Sequence, residues 1–85
     1  MAFTIKIEKP KNLQAVLLRA KNDAKKHNIF YEGDTKNGHG YGYGFDATYA
    51  VNTDFITIDV EKKPWFVSKA RVEKEIRKYL SLGGA

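Results

Sequence analysis

Glycine stands at positions 38, 40, 42 and 44, alternating with His39, Tyr41 and Tyr43, a run that could cradle a phosphate on backbone amides if a helix followed it. The dinucleotide fingerprint needs its third glycine where Tyr43 or Phe45 stands, and no Gly-Lys-Ser/Thr closes the run, so phosphate-loop chemistry does not fit. His27 and His39 are the only imidazoles, and neither is spaced from a second histidine or a carboxylate pair as metal ligands are. Ser68 and Ser81 lack the elbow motif of a nucleophilic serine, and Ser68 is better placed to cap a helix. Asp46, Asp59 and Glu61 could form an acid–base pair, but their alternation puts them on a wet face, whereas a general acid works when shielded from water. The chain therefore reads as a non-enzyme with no catalytic residue, metal or cofactor.

Two groups of residues point to binding instead. Tyr41 and Tyr43 in the glycine run, with Trp65 and Phe66 after Pro64, could present aromatic surface to an apolar polymer or a partner protein. A bare glycine face beside them would leave room for such a ligand against a sheet. The competing structural reading packs Trp65 or Phe66 under the following helix as a hydrophobic staple. The second group is basic: Lys21, Lys25 and Lys26 with Lys69, Arg71, Lys74, Arg77 and Lys78 could neutralise nucleic-acid phosphates if two helices lay side by side. Only three of the fifteen basic residues are arginine, the usual base-reading side chain, and lysine-rich helix exteriors are ordinarily solvated surface, which weighs against nucleic-acid binding.

The elements that must position these residues follow from periodicity. Phe3, Ile5 and Ile7 alternate with Thr4, Lys6 and Glu8 in a first strand that Pro10 stops. Asn12 caps a helix over Leu13 to Lys26 whose stripe is Leu13, Val16, Leu17, Ala20 and Ala24. Ile29 to Glu32 reads as a second strand, and Gly33-Asp34 through Asn37-Gly38 as its turn. Tyr41 to Val51 then reads as one long third strand, with Tyr41, Tyr43, Phe45, Ala47, Tyr49 and Val51 on one side. Asn52-Thr53-Asp54 turns into a fourth strand around Ile56, Ile58 and Val60, and Ser68 caps a last helix carrying Val72, Ile76, Tyr79 and Leu80. The predicted fold is α+β in the order βαβββα: a four-stranded, mainly antiparallel sheet with two helices packed on one face.

With 85 residues, 42% of them hydrophobic and 29% charged, the chain has room for a single domain over 1–85. Two basic segments, Lys11 to Lys26 and Glu61 to Lys78, flank the acidic stretch His27 to Val60 that holds Glu32, Asp34, Asp46, Asp54 and Asp59. The absence of cysteine removes disulfides and thiolate sites and suits a reducing, cytoplasmic setting. No leader pattern opens the sequence, and no apolar run reaches the roughly 20 residues of a membrane span. Uncovered sheet edges in so small a domain leave room for a homodimer.

Glu8-Lys9-Pro10 closing the first strand, the basic amphipathic helix, Glu32-Gly33-Asp34, the glycine-rich stretch Tyr41 to Tyr49, and Ile58 to Pro64 leading into Val72-Glu73-Lys74-Glu75-Ile76 form a pattern over nearly the whole chain. In this pattern the chain resembles the polyhydroxyalkanoic acid system protein family. The resemblance implies a bacterial cytoplasmic protein associated with storage-polyester granules or their regulation. It implies no catalytic residues, and the Trp65-Phe66 turn with its flanking lysines departs from the family pattern.

Overall fold

A computed structural model describes residues 2–84, with side chains as far as residue 80, so Ser81's hydroxyl lies outside the described residues. The chain runs β1 (Phe3–Glu8), α1 (Leu13–Lys26), β2 (Phe30–Gly33), β3 (Asn37–Gly42), β4 (Phe45–Val51), β5 (Phe55–Lys62) and α2 (Lys69–Gly84). The five strands form one antiparallel sheet in the order β1-β5-β4-β3-β2. Helix α1 carries the chain from one edge strand to the other, and the meander β2 to β5 returns it to pair with β1.

The α+β class stands, but the sheet has five strands, not the expected four. The single strand expected over Tyr41 to Val51 is two, because the chain reverses at Tyr43 and Gly44, whose φ angles are 52° and 85°. Positive φ at both central residues makes the primed two-residue turn whose twist matches a hairpin. Glycine takes that conformation at little cost; Tyr43 is held there by its hydroxyl, which donates to the carbonyl of His27 at 2.7 Å. The alternating aromatics hid the turn, since tyrosine sits where asparagine or glycine usually signals it. Gly38, expected in a turn, lies inside β3 opposite Tyr49.

Register then fixes the faces. Phe3, Ile5, Ile7, Ile56, Ile58, Val60, Phe45, Ala47 and Tyr49 share the helix side, with Gly38, Gly40 and Gly42 of β3 beside them. Ile5, Ile7, Val60 and Val72 form the buried core cluster, with Phe3, Phe45, Ile58, Val67, Ile76 and Leu80 packed around it. Leu13, Val16 and Ala24 bury one stripe of α1, as the periodicity predicts.

Local hydrogen bonds start both helices and end α1 where the sequence allows. The Asn12 side chain accepts from the Ala15 amide at 3.3 Å, and Ser68 Oγ accepts from the Arg71 amide at 3.1 Å. Asn28, at φ 58°, closes α1, and the Ile29 amide donates back to the Ala24 carbonyl at 2.8 Å. Between the helices, Tyr79 donates to Asp23 Oδ2 at 2.6 Å, and the Arg19 guanidinium lies 4.8 Å over the Tyr79 ring. Burial first, and the Asp23 bond second, push the Tyr79 hydroxyl up to about 12.

Because that value is raised in the folded state, the stabilisation is full below the ordinary tyrosine range and is lost as pH climbs from about 10 toward 12. Tyr79→Phe should cost about 1 kcal/mol at neutral pH in urea unfolding. It should also flatten the decline of stability above pH 10; an unchanged decline would show that Tyr79 is not its source.

Candidate functional site: an apolar groove floored by glycine

The three glycines of β3 meet three different fates. A Cβ on Gly38 would stand 2.2 Å from Tyr49 Cε1, because the Tyr49 ring lies flat across that bare backbone. The Tyr49 hydroxyl donates to the Asp34 carbonyl at 2.7 Å and accepts from Tyr31, also at 2.7 Å, and burial raises its titration well above the usual range. The amides of Asn37 and Lys36, bonding to Oδ1 at 3.0 and 2.8 Å, lower the Asp34 carboxyl and brace the same turn. At Gly42, a Cβ would lie 3.1 Å from Ile29 Cγ1, so the segment after α1 closes over that end.

Gly40 lies between these two covered ends. A Cβ there would meet only the Phe30 carbonyl at 3.4 Å and the Tyr31 ring at 4.0 Å, ordinary contacts. Its uncovered backbone, with Ala47, forms the floor of a groove of about 930 Å³. Ile29, Tyr43 and Phe45 wall one side; Phe66, Val67, Val72 and Ile76 wall the other. The volume is within the range of small-molecule sites, and the lining is overwhelmingly apolar. Besides the hydroxyls of Tyr41 and Tyr43, the lining carries Ser68, Arg71 and Glu75; Tyr43 is spent on the His27 carbonyl, Ser68 caps α2, and Arg71 lies 3.7 Å from Glu75.

Two loops meet at one end of the groove. A Cβ on Gly44 would be 3.1 Å from Pro64 Cγ, so the β3–β4 turn abuts the connection between β5 and α2. That connection is a built turn: the Val67 amide donates to the Pro64 carbonyl at 3.1 Å, and the Lys63 ammonium to the Val67 carbonyl at 2.5 Å. Val67 packs inward on the core while Trp65 and Phe66 project, 91% and 72% exposed, with their rings edge-to-face at 5.8 Å. The staple reading is overturned, because Val67 fills the place under α2 that an aromatic was expected to take.

Of the four expected apolar-contact residues, the structure brings Tyr41, Tyr43 and Phe66 to the lining of the groove and sets Trp65 beside it. The Tyr41 ring itself is turned to the other face of the sheet. It stacks on Phe30 at 4.7 Å on that face, where His39 Nε2 bonds Asp46 Oδ1 at 2.6 Å. His39 lies mid-strand, half-exposed, opposite Thr48. Asp59 shares that face, where it accepts from Thr4 Oγ1 at 2.7 Å. Sequence reasoning foresaw a bare glycine face open to a ligand but set it on the side away from Ala47, and it did not name Ile29 or Ala47 as site residues; once the Tyr43-Gly44 turn is placed, strand alternation brings Gly40 to the side of Ala47.

The basic residues are partly neutralised. Arg77 bonds Glu73 at 2.9 Å and also the Lys6 carbonyl at 3.2 Å, Arg71 faces Glu75, and Lys69 lies 5.8 Å over the Phe3 ring. Lys21, Lys25, Lys26, Lys74 and Lys78 make no ion pair among the described residues. No group of three metal-ligating side chains occurs among the described residues, and none of the described helices is long and apolar enough to cross a membrane.

Comparison of the chain with family models, curated proteins and solved structures gave no match.

Gly38→Ala should lower the unfolding free energy by about 1–3 kcal/mol, as overpacking against Tyr49 does, while Gly40→Ala should leave it unchanged or raised. Paired urea titrations decide this. Equal losses at both positions would mean that Gly40 is packed as tightly as Gly38.

Proposed function

We propose that the protein is a non-enzymatic accessory protein that binds an apolar surface through the Gly40 groove and the adjoining Trp65-Phe66 turn. One observation carries the reading: an apolar groove opens beside two large aromatic rings held out in water by a braced turn. Leaving Trp65 and Phe66 exposed forgoes a few kcal/mol of burial in a domain with little core to spare. A surface that covers them recovers that free energy. Ser68 is occupied in capping, Tyr43 on the His27 carbonyl, and Arg71 and Glu75 with each other, which supports binding rather than reaction. The resemblance to the polyhydroxyalkanoic acid system proteins supplies the candidate surface, the storage-polyester granule in a bacterial cytoplasm.

The test is co-sedimentation with isolated polyhydroxyalkanoate granules at low and high salt, with double-stranded DNA as competitor. Binding should survive salt and DNA, because apolar contact is not screened. Replacing both Trp65 and Phe66 with alanine should abolish it with the circular dichroism unchanged. Gly40→Val, which fills the groove from its floor, should weaken it at least tenfold. Capture that vanishes with salt or DNA would transfer the function to Lys21, Lys25, Lys26, Lys69, Arg71, Lys74, Arg77 and Lys78. No capture at either salt would reject the granule.

A further inference from the structure

We infer that, without an apolar surface to bind, two copies of this chain pair by inserting the Trp65-Phe66 turn of each into the groove of the other. The inference rests on the same groove as the binding reading and names its occupant in solution. Knob and groove belong to one continuous surface, since Phe66 is both a projecting ring and a wall of the groove. A two-fold axis passing near Phe66 therefore presents each turn to the opposite groove, the self-complementary arrangement of a closed dimer.

Size and charge agree. Large aromatic side chains bury about 150–250 Å² each, so four rings cover about 600–1,000 Å². With the groove surface that they cover, the total reaches about 1,000 Å², the lower bound for a specific interface. The rim offers Arg71 and Glu75 paired with each other, with no net charge to demand an ionic ligand. A floor of glycine backbone and an alanine methyl gives a flat ring face close approach. The knob is pre-ordered by Pro64 and by the bonds to the Val67 amide and carbonyl, so little freedom is lost on docking.

The pairing has a consequence for regulation. Dimer and surface-bound protein use the same residues, so the two states exclude each other, and added polymer must draw the equilibrium toward monomer.

Trp65 is the only tryptophan and so reports its own environment. Sedimentation equilibrium of the full chain, without polymer, should show the mass rise from 9.7 kDa toward twice that value with concentration. Over the same range Trp65 emission should shift to the blue and its acrylamide quenching fall severalfold. Gly40→Val should remain monomeric with a quenchable Trp65 and unchanged circular dichroism, and Phe66→Ala should dissociate. A chain that stays monomeric at every concentration overturns the inference, as does a dimer in which Trp65 stays fully quenchable. Neither outcome touches granule capture, which is measured separately; capture without a dimer rejects the pairing alone, and a dimer without capture rejects the granule alone.

Discussion

A strand whose inward positions are all glycine has no side chains to give to a core, and the rest of this molecule is arranged around that deficit. Gly38, Gly40 and Gly42 face the helices from β3, the second strand from one edge of the sheet. Tyr49 leans across from β4 to cover the first, and Ile29 folds down from the end of α1 to cover the last. Each cover needs its own anchor. Tyr49 is held by Tyr31 and the Asp34 carbonyl; the Ile29 segment is held by the left-handed Asn28 and by Tyr43 reaching the His27 carbonyl. Gly40 receives no cover, and the groove is that remaining gap.

The same deficit explains where the stable part of the fold lies. Ile5, Ile7, Val60 and Val72 concentrate the buried surface at the β1–β5 side, beneath α2. The two helices are tied there by Tyr79, Asp23 and Arg19, and Arg77 reaches the Lys6 carbonyl of the edge strand. The sheet's other face has its own order, with the His39–Asp46 bond, the Phe30–Tyr41 stack and the Thr4–Asp59 bond fixing side chains that solvent would otherwise leave loose.

Much of this was legible in the sequence, and what was not has a physical cause. The strand β1, the bounds of α1, the Ser68 cap and the β4–β5 hairpin follow from periodicity and capping chemistry, and the structure has them all. The fifth strand was hidden because alternation of aromatics continues unbroken through Tyr43, and a tyrosine with positive φ carries no local signal; its conformation depends on His27, sixteen residues away. Once the turn is lost, the side assigned to Tyr41 is inverted and the bare glycine face is set on the wrong side of the sheet. Exposure of Trp65 and Phe66 was likewise undetermined, since Pro64 followed by aromatics and a capping serine suits an inward staple equally well; competition from Val67 for the same space decides it.

The central claim is that the face around Gly40 meets an apolar partner, and amide chemical-shift mapping with a short soluble polyhydroxyalkanoate oligomer tests it most directly. Contact there shifts Gly40, Ala47, Phe66 and Val67 and leaves the opposite face at His39 and Thr48 undisturbed. Shifts centred on Lys21, Lys25, Lys74 and Lys78, or on the His39 face, would contradict it.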